Sequence, residues 1–312
     1  MNHRTIGTAL CVLSASSYGA TGIFGKLAYK EGLSVTGLLA ARFAIAAVVL
    51  WGLVAVLRGE VRPTRRGTAV GIGLGVVVYS AQTGFFFWSL TRLDAALAVL
   101  LVYVAPVLVA VGAVAFGRER LTVGQIAALP VALAGTALVA TGGGVGRVDG
   151  IGVLLAFACA VAFAGYLLLS HAVVGSVHPV VLSASVCTGC ALSFTTAATI
   201  TGDLPTGATG RGWALIGALA LFSTVIAVTA LAAGTARVGP STASILSTVE
   251  PVVATILAVT ILDERLAALQ KLGGVLVVAS VVIVSVRWDH RSGGSETTPG
   301  RASRRRRSSP SR

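Results

Sequence analysis

Charge is scarce in this chain: only 11% of its 312 residues are Asp, Glu, Lys or Arg, against about 25% in soluble domains. With 55% hydrophobic residues and a mean hydropathy of +0.89, folding around one aqueous core is excluded. Histidine is scarce too: there are four, none in a His-Glu-x-x-His pattern, and no acidic pair clusters within an apolar run. An intramembrane hydrolase is therefore left without equipment. The four cysteines, Cys11, Cys159, Cys187 and Cys190, all fall inside apolar runs and form no extracellular disulfide framework. Cys187 and Cys190 share a helix face but have no cationic sequence neighbours that would turn them to redox or metal chemistry. The glycines at 142–144 and 146 lack the strand before and helix after that a phosphate-binding loop needs, and they read as a connector. No cofactor is called for.

What the chain has is apolar runs of about 20 residues, the length that spans a hydrocarbon core. In lipid such runs must be helices, because each backbone group needs a partner within its own segment. The expected spans are 6–27, 33–57, 68–90, 95–116 and 123–141, then 151–174, 180–201, 212–235, 241–262 and 268–286. The first run follows Arg4 but is too long for a signal-peptide core and lacks a clear cleavage site, so it reads as a retained span.

The two groups of five are copies. Pro106 precedes Glu119-Arg120-Leu121 by the same spacing that separates Pro251 from Glu264-Arg265-Leu266, and the copies stand 145 residues apart. The same ungapped register places Arg92 over Arg237 and Gln125 over Gln270. Five spans per copy is odd, so the second copy enters the membrane inverted. The expected fold is therefore an all-α membrane protein of ten transmembrane helices in two inverted five-helix repeats. The repeats occupy 5–141 and 151–287, joined by a connector at 142–150 and followed by a basic, disordered tail at 288–312.

Basic residues near span ends set the orientation. With the N-terminus inside, the inner side carries 16 of them: Arg4, four between Arg58 and Arg66, Arg118, Arg120, Arg237 and eight from Arg287 onward. The outer side carries six: Lys30, Arg92, Arg147, Arg211, Arg265 and Lys271. Both termini are expected in the cytoplasm, with the chain multi-pass in the cell membrane. Trp88, Trp213 and Trp288 fall at or near span ends, as an aromatic belt requires. The arginine-rich tail suits anionic headgroups or solvent better than nucleic acid.

Charges within spans are expensive, about 2.5–3.5 kcal/mol each on insertion scales, and with Lys271 counted at the outer end of its span three qualify: Lys26, Arg42 and Glu250. At 1.5 Å per residue, Arg42 and Glu250 each lie about 13 Å from a span end, close to the midplane, where inverted-repeat transporters keep their sites. The register sets Arg42 against Cys187 and Glu250 against Ala105, so neither is a product of the symmetry. Either they form a substrate or proton pathway, or they only pair with each other or with carbonyls. Lys26 lies at a span end and either joins that pathway or snorkels to the interface. Tyr18, Tyr79, Gln82 and Tyr103 carry polar tips into spans of the first copy and either line a cavity or bond helices together. Glu119 and Glu264 face opposite sides in this topology, so a turn or helix-end role suits them better than a one-sided transport role. Pro106 and Pro251 read as mid-span kinks, and Gly71-x-x-x-Gly75 as a close-packing surface.

Two five-helix halves, each closing on the Pro-to-Glu-Arg-Leu stretch and a last apolar helix, resemble the EamA-type repeat of the drug/metabolite transporter superfamily. Arg42-Phe43 resembles the arginine such repeats carry in their second helix, and Glu250-Pro251 their second-half Glu-Pro. The likeness covers about residues 5–287. It implies a ten-helix secondary transporter, often an exporter of small metabolites, amino acids or toxic compounds; the midplane residues add the expectation of alternating access, with proton coupling at Glu250 as one route. An importer or exchanger on the same scaffold is the alternative, and a sensor or intramembrane enzyme a more distant one. The partners expected are a small-molecule substrate and the lipid bilayer, with homodimerisation left open and no nucleic acid.

The topology predicts that cysteines introduced at 58–67 and in the tail react only from the cytoplasmic side, and those at 142–150 only from outside. A tail that reacts from outside sinks the ten-span arrangement.

Overall fold

The computed structural model describes residues 3–57, 61–105, 149–174, 177–238 and 249–286, with 108, 130–131, 133–135, 137–138 and 246–247 between them. Pro106, Glu119, most of the expected fifth span, residues 142–148 of the connector and the tail lie outside the described residues. All regular structure among the described residues is helical: α1 (His3–Gly19), α2 (Thr21–Lys30), α3 (Val35–Val56), α4 (Arg65–Leu74), α5 (Ser80–Leu90) and α6 (Ala95–Val102) in the first half. The second half gives α7 (Gly150–Val174), α8 (Pro179–Thr201), α9 (Gly210–Ala220), α10 (Ala227–Val238), α11 (Val249–Ile261) and α12 (Ala268–Val286).

Among the described residues, five helical stretches are long and apolar enough to cross a membrane: Thr5–Lys30, Val35–Val56, Arg65–Leu90, Pro179–Thr201 and Gly210–Leu231. The protein is a multi-pass membrane protein. Its outer apolar surface says the same, because Val48 is 73% exposed, Val56 82% and Ile200 81%. Side chains of that kind facing outward cost nothing in lipid, while water would penalise each of them.

Polar residues at the run ends start the helices. Ser34 accepts the Gly37 amide at 3.1 Å to begin α3. Thr64 takes the Gly67 amide at 3.2 Å for α4, and Thr209 takes that of Gly212 at 3.0 Å for α9. These last two caps stand 145 residues apart, in the register of the duplication. Such caps are worth about 1 kcal/mol. Gly202 ends α8 in the left-handed region (φ 74°), where a side chain would be strained.

Helix α3 is well enclosed, with Leu38, Leu39, Phe43 and Leu50 fully buried. It lies along α8, which also packs on α4, while α1 lies along α10 and α11 and α5 along α7. Where α8 meets the α4 end, backbones nearly touch: a Cβ on Gly75 would fall 2.2 Å from the Val186 carbonyl, and one on Gly189 2.3 Å from that of Ile72. Gly71 is as crowded, with its Cβ position 2.6 Å from that of Ser185. Glycine permits this approach, and dispersion at such contacts is what holds helices together in lipid.

Candidate functional site

The helices are irregular where their middles meet. The first crossing breaks at Ala20, so α1 ends at Gly19 and α2 restarts at Thr21. The third crossing widens into a π turn over Gly75–Tyr79, and its repeat counterpart into another over Leu221–Ile226. Helix α6 ends at Val102, just before Tyr103. A π turn leaves backbone groups out of step with the helical ladder and commonly marks a functional site. In the first copy the Gly75 carbonyl accepts from Ser80 Oγ at 2.7 Å and from Cys190 Sγ at 3.4 Å.

In the second copy the π turn is met by Arg42. Arg42 is 4% exposed; its Nε donates to Thr224 Oγ1 at 3.0 Å and its Nη2 to the Ser223 carbonyl at 3.3 Å. Thr224 passes its own proton to the Leu219 carbonyl at 3.1 Å. The guanidinium carbon stands 5.2 Å from the Phe43 ring centre and 5.3 Å from that of Phe87. A desolvated cation over a ring gains about 2 kcal/mol or more. Nη1 is buried and has no hydrogen-bond partner among the described residues, which costs about 1–3 kcal/mol, and more for a charged donor.

Glu250 lies in the first turn of α11, before Pro251. Tyr103 Oη donates to its Oε2 at 2.9 Å and lies at the same distance from the Ser247 carbonyl. Among the described residues the ion pairs are Arg92–Asp149 and Arg211–Glu31, so Arg42 and Glu250 pair neither with each other nor with another ion. Both charges lie within electrostatic reach of Tyr18.

Four of the chain's five tyrosines belong to this centre. Tyr79 and Tyr166 meet edge to face with ring centres 4.9 Å apart, and Tyr79 stands edge-on to Phe43 at 6.2 Å. Tyr18, Tyr79, Tyr103, Tyr166 and Glu250 each keep an accessible fraction although protein surrounds them closely. Sequence reasoning missed Tyr166, Ser223 and Thr224. Thr224 is the register partner of Tyr79, a signal present in the duplication itself.

The other candidates sit elsewhere. Gln82 donates to Cys159 Sγ at 3.6 Å and accepts from Thr83 at 3.2 Å, tying α5 to α7. Lys26 lies near the end of α2, within reach of the Glu264 charge rather than that of Glu250. Glu264 occupies the turn after α11 and accepts the Ala95 and Ala96 amides at 2.7 and 3.1 Å, capping α6 from the other half of the chain. Burial pushes its carboxyl up and the two amides oppose that shift. Gln270 caps α12 by accepting the Ala267 amide at 2.9 Å. An open groove of about 340 Å³ between α6 and α7, lined by Leu101, Gly150, Val153, Leu154 and Phe157, offers no polar side chain and suits acyl chains.

The bundle of membrane-crossing helices thus carries repeat-related π turns, one of them bonded by the buried Arg42. The chain belongs to the EamA-like transporter family, which matches residues 5–141 and again 150–286 and so falls within the drug/metabolite transporter superfamily. A relative from Streptantibioticus cattleyicolor, named "Probable terminal-alkyne amino-acid exporter", is 34% identical over 117 residues. That match spans 38% of this chain and 39% of the relative's length. A crystal structure described only as that of a protein superposes with a TM-score of 0.63 at 22% identity, covering 91% of this chain and 98% of that one. That likeness shows the fold alone.

Replacing Arg42 with Ala is expected to abolish solute movement in reconstituted vesicles while leaving insertion and helical content unchanged. Arg42→Lys should recover less than about a tenth of the activity, because a single ammonium nitrogen lacks the planar fork that reaches Thr224 and Ser223 from two nitrogens and presents a third. Normal transport by Arg42→Ala removes the residue from the site.

Proposed function

We propose that this chain is a ten-helix secondary transporter that exports a small amino acid by alternating access, exchanging it for protons carried on Glu250. The observation that carries this reading is the pair of opposite charges, Arg42 and Glu250, enclosed among tyrosines and compensated by no ion among the described residues. A zwitterion complements both: its carboxylate suits the free Nη1 of Arg42 and its ammonium suits Glu250. The aromatic walls of Tyr18, Tyr79 and Tyr166 favour an apolar side chain. The exporter relative supports an amino acid as cargo and export as direction, and family membership points to a carrier rather than an enzyme.

The cycle follows from charge. From the cytoplasmic side the amino acid binds the ionised Glu250 and Arg42. When the site opens outward, a proton bonds to the carboxylate, removes the attraction for the ammonium and releases the solute. The protonated carrier reorients and gives the proton to the cytoplasm. One neutral zwitterion leaves for each proton that enters, so membrane potential and pH gradient both drive export. The arginine bias of the loops and tail supports the orientation this requires.

In proteoliposomes with an acid interior, outward proton flow should drive uptake of labelled L-leucine by the wild type. Glu250→Gln should lose that accumulation yet still exchange leucine for leucine at a raised KM, since an amide accepts an ammonium hydrogen bond but carries no proton. Accumulation by Glu250→Gln driven only by a pH difference removes the coupling role.

A further inference from the structure

Ser223 sits fully buried in the second π turn and faces two partners at once. Its carbonyl receives Arg42 Nη2 at 3.3 Å, while its hydroxyl donates to the Ser17 carbonyl of α1 at 3.0 Å. Ser14, nearly one helical turn earlier on α1, donates to the Ala227 carbonyl at 2.7 Å, so two bonds hold this part of α1 to the α9–α10 crossing. After Ser17 come Tyr18 and Gly19. A Cβ on Gly19 would lie 2.9 Å from the Glu250 carbonyl and 3.1 Å from the Ala254 amide, so this backbone rests directly on α11. Immediately beyond, at Ala20, the helix breaks.

One short stretch of α1 is thus bonded to the anchor of the arginine and seated on the backbone of the carboxylate, with a break where it can tilt. Serine bonds between membrane helices are ordinary glue. What distinguishes this one is that the same residue holds Arg42 and that the stretch it grips continues to Glu250. We propose that Ser223 is a positioning residue that couples the two charged sites by transmitting the state of Arg42 through Ser17–Gly19 of α1 to Glu250. The inference rests on the amino acid–proton exchange reading. A carboxylate that engages Nη1 shifts the guanidinium, the Ser223 carbonyl follows, and the hydroxyl bond carries the shift to α1. The tilt at Ala20 then changes how α11 presents Glu250. Energetic coupling of this kind needs an element with two arrangements that both sites bias, and the broken helix supplies it.

The test compares two modes of the full-length protein in proteoliposomes, using the common amino acids as labelled probes. One mode is accumulation driven by an acid interior, and the other is exchange without a gradient. Ser223→Ala keeps the carbonyl that holds Arg42 and removes the link to α1, so the ratio of accumulation to exchange should fall about tenfold, within the span of typical coupling energies. Ser223→Thr, which retains the hydroxyl, should restore most of that ratio. Gly19→Ala disturbs the same stretch from the Glu250 side and should lower the ratio likewise; if Ser223→Ala is not recovered folded, this variant decides. A ratio equal to wild type in Ser223→Ala, or in Gly19→Ala where that variant decides, overturns the coupling role and leaves the transporter reading intact. Loss of both modes in equal proportion also overturns it, as a merely structural defect would do. A wild type that moves none of the amino acids in either mode overturns the exchange reading, and this inference falls with it.

Discussion

In a hydrocarbon layer a backbone N–H or C=O without a partner costs several kcal/mol, and the centre of this protein is shaped by how that demand is met. The break at Ala20 and the two π turns each take backbone groups out of the regular ladder. Ser80 of the same crossing, Cys190 of α8 and Arg42 of α3 take up the carbonyls at the π turns. Arg42 is one of these partners, and that is how a buried guanidinium is tolerated in the bilayer. Two of its donors satisfy the π turn of the second copy, and two aromatic faces receive its charge. The remaining donor is what the fold leaves over for chemistry.

The duplication explains the scaffold, and its failures mark the site. Equivalent π turns and the Thr64 and Thr209 caps follow the register. At the centre the copies diverge: Arg42 stands over Cys187, Glu250 over Ala105 and Tyr79 over Thr224. Helix α7 runs unbroken from Gly150 to Val174 while its counterpart breaks at Ala20. A two-fold scaffold provides two related arrangements for alternating access, whereas binding one asymmetric solute requires side chains that differ between the halves.

Much of this was legible in the sequence, for physical reasons. Apolar runs report on lipid because hydrocarbon tolerates little else, and isolated charges within them stand out because each is costly. Arg42 and Glu250 were visible for that reason, and Glu264 for its place in the repeat. The break and the π turns were hidden. No proline sits at Ala20, in Gly75–Tyr79 or in Leu221–Ile226, and such irregularities depend on tertiary partners that take the freed carbonyls. Ser223 and Tyr166 look like ordinary span residues until the helices are packed. Their roles come from α1 and α5, distant in the chain.

The central claim is that Arg42 and Glu250 stay apart so that one solute can join them. The most direct measurement is a structure of the full-length protein in lipid with L-leucine bound. The account predicts the carboxylate within hydrogen-bonding distance of Arg42 Nη1, the ammonium at Glu250 and the side chain against Tyr18, Tyr79 and Tyr166. Leucine bound away from both charges, or Arg42 and Glu250 paired directly with leucine present, would contradict it.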